Sequence, residues 1–317
     1  FGYAVTGLVL LAFLSRVDYH AFRPLAPLLL VGAFVACAAV LVLGPSVNGA
    51  HRWFYVAGVG IQPSEVAKIA VILFTAAVLE RRMDRIDEPK YALGPIAFVL
   101  APTLALIMVQ KDLGTCVVLV AIVAVMLFAA GLSWKYFVGA AAVGLPVLAA
   151  AVYLEPYRLG RLTAFLDPWS HREDTGYQVV QSLIAVGNGG LSGRGLGYGV
   201  QKLGYLPDPH TDFIYAVVAE EFGLIGASIL LVCFCVVAWR GLKTAFRAPD
   251  AFGSFLALGL TAMFAVQAFV NMSVVLSLLP TKGITLPFVS AGGSSLIVSL
   301  AGMGVLLNIS QRASATS

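Results

Sequence analysis

The chain has 317 residues, of which 60% are hydrophobic and only 11% are charged, and its formal net charge is +4. A soluble globular protein carries about 25% charged residues, so this composition excludes a water-soluble enzyme and indicates a chain whose solvent is the lipid bilayer. The four cysteines lie in apolar stretches without zinc-site spacing, and we interpret them all as small buried hydrophobic residues.

A membrane-spanning helix needs about 20 predominantly apolar residues. Runs of this kind predict an all-α, polytopic membrane helical bundle that forms one domain over residues 1–317. The predicted spans, about nine, are 1–15, 24–44, 63–80, 92–109, 113–131, 136–155, 213–238, 252–279 and 284–308. The chain begins at Phe1, is apolar at once and shows no cleavable signal peptide, so we expect that a preceding span is missing.

Lysine and arginine in the short loops predict the orientation, because cytoplasmic loops carry an excess of both. In the alternating arrangement one side collects Arg16, Arg23, Arg81, Arg82, Arg85, Lys90, Lys135, Arg240, Lys243, Arg247 and Arg312. That side is therefore predicted to be cytoplasmic, with the C-terminus inside and Phe1 near the outer face. The long loop 156–212 is then extracytoplasmic, and its cations are either simply solvated or form a surface for an anionic substrate.

Two charged segments precede or open early spans. Arg52 stands beside aromatic residues, where it is either an anchor at the membrane interface or a contact for phosphate. Pro63 suits the first position of a helix, and Glu65 and Lys68 then lie on one face, where they can form a structural ion pair. The charged pair Lys111 and Asp112 stands at a tight connection between two spans, as an exposed turn or as the wall of a site.

A glycine-rich stretch, Gly187–Gly199, holds seven glycines in thirteen residues. Such loops can cradle phosphates through backbone N–H groups. No Lys-Ser/Thr pair of a nucleotide-binding loop follows, so flexibility or close backbone approach is expected instead.

The strongest local feature is Tyr205–Asp212, directly before a predicted span. Two prolines fix an extended approach, and the helix is expected to begin with Thr211 or Asp212 at its cap, where free N–H groups favour a carboxylate. Asp212 either only caps the helix or acts as a base that accepts a proton from a hydroxyl.

Glu220 and Glu221 follow about two turns deeper, with Glu220 about 12 Å from Asp212 along the helix axis. Acids inside a membrane are costly and mark a cavity or a partner. We expect Glu220 and Glu221 to line a polar cavity or to pair with a cation rather than to act in catalysis. The small residues Gly292–Ser295, at the entry of the last span, allow tight helix packing or a broken helix.

Together these segments resemble the SEDS family (shape, elongation, division and sporulation), the bacterial peptidoglycan glycosyltransferases. The matching stretches run in order over nearly the whole chain: Gln62–Lys68, Asp112–Thr115, Asp167–Trp169, Gly176–Gln178, Gln181–Ser182, Gln201–Lys202, Leu206–Phe213, Glu220–Glu221 and Leu286–Ser295. Gln201–Pro207 and Leu279–Gly283 resemble the division branch (FtsW) more than the elongation branch (RodA), and SpoVE is a further relative. Family members usually have ten spans, and Ala291 stands where their motif usually has tyrosine.

The resemblance implies that the chain polymerises lipid II, a disaccharide-pentapeptide on undecaprenyl pyrophosphate, at the outer surface of the bacterial cytoplasmic membrane during division. It implies Asp212 as the catalytic residue, which fits a base for the acceptor hydroxyl. Candidate contacts of the sugar and pyrophosphate are Arg52, Lys111, Arg194, Lys202, His210, Lys282, Ser294 and Ser295. Glu65, Lys68 and Glu220 are expected to support the cavity.

The implied partners are a class B penicillin-binding transpeptidase and division proteins, with no nucleic acid. No dedicated metal cage is predicted, although a divalent cation such as Mg²⁺ could bridge the pyrophosphate. A lipid II flippase and a non-catalytic scaffold for the transpeptidase are the alternative functions. Asp212 favours the enzyme over the flippase, because it is predicted at the outer surface whereas transport sites usually lie near the bilayer midplane.

Overall fold

The structure is a computed structural model that describes residues 2–47, 49–56, 59–86 and 88–315, with the backbone alone at Val56, Val59, Ser314 and Ala315. The predicted outer position of Phe1 therefore lies outside the described residues. Within them the chain is helical almost throughout. The α-helices are α1 Gly2–Leu14, α2 Phe22–Leu43, α3 Pro63–Arg82, α4 Leu93–Val109, α5 Leu113–Ala129, α6 Trp134–Tyr153, α7 Pro156–Leu166, α8 Tyr177–Gly189, α9 Ile214–Arg247, α10 Ala251–Val275 and α11 Gly293–Ala315.

Short 3₁₀ turns and one hairpin complete the described elements. The 3₁₀ turns cover Tyr19–Ala21, Met83–Arg85 and Gln201–Leu203. The hairpin consists of β1 Phe54–Val56 and β2 Val59–Ile61, which pair antiparallel with Phe54 opposite Ile61. It stands directly before α3.

Each of the nine predicted spans has a helix in the structure, which confirms the all-α polytopic fold. Five helical segments of the described chain are long and apolar enough to cross a membrane: Tyr19–Leu43, Trp134–Tyr153, Ile214–Arg247, Ala251–Val275 and Gly293–Ala313. Three shorter apolar helices, α1, α4 and α5, and the charged helix α3 match the others. Large apolar side chains remain exposed, such as Phe98 at 82% and Phe128 at 71%, as lipid-facing residues of a multi-pass membrane protein do.

Two span boundaries were predicted wrongly. The last span was placed at 284–308, but α11 begins only at Gly293, because Phe288 adopts a left-handed backbone (φ 65) and Ser290 Oγ accepts the N–H of Leu286 at 2.7 Å. Helix α9 was placed at 213–238 and runs on to Arg247, so Arg240 and Lys243, predicted in a loop, lie on the helix.

The long polar loop is more ordered than its sequence suggested. It contains α7, which begins with a proline at its first position, where the missing N–H costs nothing. It also contains α8, which ends where Gly190 turns to φ 52. Both helices are short and amphipathic, so neither contains the apolar run of about 20 residues by which the spans were predicted.

The chain divides into two compact units. The first unit comprises residues 1–133, 236–266 and 292–317. Its core is centred on α3, whose Ile72 and Leu79 are almost fully buried, and α1 packs so closely on α11 that a side chain at Gly7 would overlap Leu300. Cys37 and Cys116 are buried in this unit as expected.

The second unit comprises residues 134–235 and 267–291. It holds α6, α7 and α8, the first part of α9 and the end of α10. The hydroxyl of Ser182 on α8 donates to the carbonyl of Val275 at 2.8 Å and so ties α8 to α10. Cys233 and Cys235 on α9 are exposed, so their predicted burial is wrong. The sequence-based assignment of one domain over the whole chain stays a prediction.

Candidate active site

Asp212 lies immediately before α9 in the second unit, and it is half-buried. The helix begins at Ile214, and the carbonyl of Phe213 accepts the first helical bond, from Ala216 at 2.9 Å. The cap position is therefore Phe213, and the expectation that Thr211 or Asp212 would occupy it is wrong by at least one residue. Asp212 lies two residues before Ile214, at the end of the turn that Asp208 begins.

The backbone around Asp212 is clamped from the segment that follows α10. The amide of Asn271, a buried residue on α10, donates to the carbonyls of Asp212 at 2.8 Å and of Ile284 at 2.7 Å. Ser290 Oγ donates to the carbonyl of Thr211 at 2.6 Å. Asn271 on α10 and Ser290 in the segment after α10 therefore fix the position of the aspartate through the main chain.

Two further contacts complete this clamp. The N–H of Ala291 donates to the carbonyl of His210 at 2.8 Å. A methyl group placed on Gly283 would lie 2.9 Å from Oδ2 of Asp212, so only a glycine leaves the carboxylate its present position. Lys282, a predicted pyrophosphate contact, directly precedes this glycine and is half-exposed.

Glu220 and Glu221 lie at a break in α9. Gly223 has φ 65 and ψ −163, outside the helical region. In a regular helix the N–H groups of Leu224 and Ile225 would donate to the carbonyls of Glu220 and Glu221, four residues earlier. Both of these bonds are open.

The glycine-rich stretch fills that break. Leu224 and Ile225 donate instead to the carbonyls of Gly190 and Leu191, at 2.9 and 3.2 Å. The freed carbonyls of the two glutamates accept the N–H groups of Arg194 and Gly195, at 3.0 and 2.9 Å. The expected close backbone approach of this stretch is confirmed by these main-chain bonds. They give hydrogen-bond partners to the polar groups that the break leaves without helical ones, as irregular backbone in a membrane protein requires.

The side chains of the two glutamates have partners in this stretch and in the residues that directly follow it. Glu220 is fully buried, and its carboxylate accepts the N–H groups of Val200 and Gln201, each at 3.1 Å. Arg194 lies 3.8 Å from Glu220, and Lys202 lies 2.5 Å from Glu221. The two cations predicted as pyrophosphate contacts in this loop therefore face glutamates of α9.

Glu65 and Lys68 form an ion pair in the first unit. Lys68 Nζ lies 2.8 Å from Glu65 Oε1, and the two residues are only 1% and 6% exposed. Removing one partner of a buried pair costs about 3–5 kcal/mol, because an uncompensated charge stays behind.

A polar network surrounds the start of α3 in the same unit. Gln62 Nε2 donates to Asp112 at 3.2 Å, and Asp112 accepts both the N–H and the hydroxyl of Thr115, at 3.0 and 2.8 Å. Ser294 Oγ accepts the N–H of Gln62 at 3.0 Å and donates to the carbonyl of Gly60 at 2.8 Å. Ser294, predicted as a substrate contact, is thus part of the link between α11 and the hairpin.

Arg52 binds the connection between α4 and α5 in this unit. Its Nε donates to the carbonyl of Gln110 at 2.8 Å, and its Nη2 donates to the carbonyl of Lys111 at 2.7 Å. Lys111 itself has φ 61, a left-handed conformation that is uncommon outside glycine. Ser295 is buried at the start of α11.

Several residues of these networks were missed as site candidates by the sequence analysis: Gln62, Thr115, Asn271 and Ser290. Asp112, which was expected beside Lys111 at this connection, also carries a local signal, since an aspartate three residues before a threonine at the start of an apolar run is typical of a helix cap. Asn271 could not be found in this way, because its contact with Asp212 joins residues 59 positions apart.

The described residues contain no group of three histidine, cysteine, aspartate or glutamate side chains close enough to hold a metal ion. They do not fit a dedicated cage for a divalent cation.

The comparisons with known proteins cover nearly the whole chain. The family model described as "Cell cycle protein", for FtsW, RodA and SpoVE, matches residues 1–315. A relative named "Probable peptidoglycan glycosyltransferase FtsW" from Geobacter sp. (strain M18) is 44% identical over 98% of this chain and 85% of its own length. "Stage V sporulation protein E" from Bacillus subtilis (strain 168) is 42% identical, with the same two coverages.

Solved structures share the fold. One chain from work described as "Structural coordination of polymerization and crosslinking by a peptidoglycan synthase complex" is 33% identical, with a TM-score of 0.81 over 98% of this chain and 88% of its own. The crystal structure of the rod shape determining protein RodA from Thermus thermophilus is 31% identical, with a TM-score of 0.72 over 98% of this chain and 85% of its own.

Proposed function

The chain belongs to the family of FtsW, RodA and SpoVE cell cycle proteins, and from that membership we propose that it is a peptidoglycan glycosyltransferase with Asp212 as its general base. Relatives that are named probable peptidoglycan glycosyltransferases support the reaction class. The observation that carries the residue assignment is the clamp on Asp212, because a catalytic base must be held in place relative to its substrate.

The proposed substrate is lipid II, and the proposed product is a glycan strand. The carboxylate of Asp212 removes the proton from a hydroxyl of the acceptor sugar while that oxygen attacks the anomeric carbon of the donor sugar. The bond from that carbon to the pyrophosphate oxygen breaks, and undecaprenyl pyrophosphate leaves with the electron pair. A carboxylate is a weak base, but it suffices where proton transfer accompanies the departure of a good leaving group.

Among the predicted contacts of the pyrophosphate, we favour Lys282. It directly precedes Gly283, where a methyl group would lie 2.9 Å from Oδ2 of Asp212, so its backbone is next to the carboxylate proposed as the base. His210 lies within the same clamp and is exposed. For Arg194 and Lys202 we propose a supporting role through Glu220 and Glu221, while Arg52, Lys111, Ser294 and Ser295 keep their proposed roles as contacts.

A divalent cation such as Mg²⁺ remains a proposal, and it would depend on pyrophosphate oxygens rather than on this chain for most of its ligands. The resemblance to a chain from a peptidoglycan synthase complex supports a transpeptidase partner. We propose that this partner is a class B penicillin-binding transpeptidase, acting with division proteins. We also propose the bacterial cytoplasmic membrane as the location, with the C-terminus in the cytoplasm.

The decisive experiment is polymerisation of lipid II by the purified chain with its transpeptidase partner. Asp212→Asn and Asp212→Ala should reduce the rate by at least about 100-fold, the usual contribution of a general base. The matched control is Asp208→Asn in the same turn, because Asp208 is exposed, has φ 51, and asparagine tolerates that conformation. Wild-type rates in folded, partner-bound Asp212 variants would disprove the assignment.

The same variants separate the enzyme from the flippase. If the chain moved lipid II across the membrane instead, vesicles that contain Asp212→Ala would still scramble lipid II, and wild-type protein would form no glycan strands. Glycan strands from the wild-type chain, lost in Asp212→Ala, support the glycosyltransferase.

A further inference from the structure

A small open pocket with three basic side chains lies between the ends of α9 and α11, in the first unit. Its volume is about 90 Å³, and the lining residues are Arg240, Lys243, Thr244, Arg247, Ser310 and Ala313. Arg240, Lys243 and Arg247 are spaced by three and four residues, so they lie on one face of α9. The pocket is separate from the residues assigned to glycosyl transfer.

The described lining of this pocket contains no acidic residue. Asp250, three residues after Arg247, accepts a hydrogen bond from the hydroxyl of Tyr19, and its carboxylate lies 3.3 Å from Nε2 of His20. Arg312, the basic residue at the end of α11, lies 3.0 Å from Asp18. Asp18 and Asp250 are therefore engaged with other groups, and the described lining of the pocket keeps a local positive charge.

The excess of basic residues in one set of connections is explained by membrane topology alone. The orientation of a membrane protein depends on how many cations a connection carries, so it does not require those cations to lie around one pocket. Here three of them surround one concavity, and Thr244 in its wall donates its hydroxyl to the carbonyl of Arg240 at 3.0 Å. An anion is the ligand that this concentration of positive charge fits.

The depth of the pocket is indicated by apolar side chains on the same stretch of α9. Trp239 is 61% exposed and Phe246 is 87% exposed, and Lys243 Nζ lies 6.0 Å from the centre of the Trp239 ring. Exposed aromatic residues next to lysine and arginine are typical of the headgroup level of a bilayer. The anion at this level is the phosphate of a lipid.

We propose that this pocket binds the headgroup of an anionic phospholipid of the surrounding membrane, with Arg240, Lys243 and Arg247 around the phosphodiester and the acyl chains along the apolar face of α9. Basic pockets between membrane helices bind acidic lipid headgroups in this way. A volume of about 90 Å³ suits one headgroup and is far below the roughly 300 Å³ or more of a pocket for a whole small molecule.

The test is lipid binding by the full chain in detergent, followed by native mass spectrometry. Phosphatidylglycerol and phosphatidylcholine with identical acyl chains are the two probes. The wild-type chain should retain phosphatidylglycerol preferentially, and each of Arg240→Gln, Lys243→Gln and Arg247→Gln should weaken its binding about fivefold. Lys243→Arg should restore most of the affinity, because it keeps the charge.

A triple variant with the same loss of charge elsewhere is the matched control. Arg16→Gln, Arg81→Gln and Lys135→Gln remove three cations of the same predicted membrane side outside the pocket, and phosphatidylglycerol binding should stay at the wild-type level. The proposal fails if the control triple weakens binding as much as the pocket triple. It also fails if the pocket triple, shown to be folded by circular dichroism, binds phosphatidylglycerol like wild type.

A free anion is distinguished from a lipid by thermal unfolding. Phosphatidylglycerol in mixed micelles should raise the unfolding midpoint of the wild-type chain and leave that of the pocket triple unchanged. If sodium phosphate alone raises the midpoint of the wild-type chain as much as the lipid does, the pocket binds inorganic anions and the lipid proposal is wrong.

Discussion

Asp212 is held in position through hydrogen bonds to main-chain carbonyls rather than through its carboxylate. Its carbonyl, and those of His210 and Thr211, accept bonds from Asn271, Ser290 and the backbone of Ala291. Each such bond contributes about 0.5–1.5 kcal/mol, and an unsatisfied buried partner costs more. The carboxylate is therefore placed by its own main chain.

Gly283 is the residue at which this placement can be tested. Gly283→Ala should lower the rate of lipid II polymerisation by about tenfold to 100-fold, because a methyl group 2.9 Å from Oδ2 displaces the carboxylate of Asp212. The measurement is the polymerisation assay together with the thermal unfolding midpoint, which should change little, since the carboxylate can move aside.

The matched control for Gly283 is Gly144→Ala on α6, where a methyl group meets no atom within 4 Å. That variant should polymerise lipid II like wild type. An unimpaired Gly283→Ala enzyme would show that the position of Asp212 in this structure is not the one used in catalysis.

At the scale of the elements, α9 is the helix on which most of the described site depends. It carries the site at its beginning, the break at Gly223 in its middle and the basic pocket at its end. The part of α9 after the break, residues 224–247, is by itself about 36 Å long, more than the roughly 30 Å of a hydrocarbon core. Its basic end therefore extends to the lipid headgroups.

Replacing Gly187 or Gly189 of α8 with alanine should change the stability of the chain in opposite directions. A methyl group at Gly189 would overlap the carbonyl oxygen of Ala219 on α9, whereas one at Gly187 meets nothing within 4 Å. Gly189→Ala should destabilise the chain by about 1–3 kcal/mol. Gly187→Ala should be neutral or stabilising by up to about 1 kcal/mol, because alanine is the better helix former.

Thermal unfolding of both variants in detergent checks this prediction. Midpoints that shift in the same direction and by the same amount would mean that the glycine-rich stretch does not pack against α9 as the structure has it.

The nine helices were predictable because an apolar run of about 20 residues is a local signal. The pairing of Glu65 with Lys68 was predictable for the same reason, since three residues separate them on one helix face. The break at Gly223 and the clamp by Asn271 were not, because each depends on groups from a distant part of the chain that local spacing does not reveal.

At the scale of the whole molecule, the sequence and the structure support a protein whose solvent is lipid. Its exposed surface includes many large apolar side chains, among them Val42 at 83% and Phe246 at 87%. The residues between α1 and α2 are joined to α11 by Asn308, which accepts the N–H of Tyr19 and donates to the carbonyl of Ser15. The beginning and the end of the chain are thus held together within the first unit.

The proposed orientation is testable with single cysteines and a membrane-impermeant maleimide on intact spheroplasts. Tyr205→Cys, at a 54% exposed position in the long loop, should be labelled, whereas Arg81→Cys should be labelled only after the membrane is opened. The unsubstituted chain is the control, because Cys233 and Cys235 lie on the apolar surface of α9. The reverse labelling pattern would invert the topology.

The break in α9 also bears on the biosynthesis of the chain. Four peptide groups at Glu220, Glu221, Leu224 and Ile225 have their partners in residues 190–195, and they lie about 9–17 Å beyond the start of the helix. Left without those partners in hydrocarbon, each would cost several kcal/mol. The ribosome makes residues 190–195 before α9, so every group that must fill the break exists before the break itself emerges. The order of synthesis thus lets α9 enter the lipid when the hydrogen-bond partners of its break are already present. In a circular permutation that placed residues 190–195 after α9, those partners would not yet exist when α9 enters the lipid.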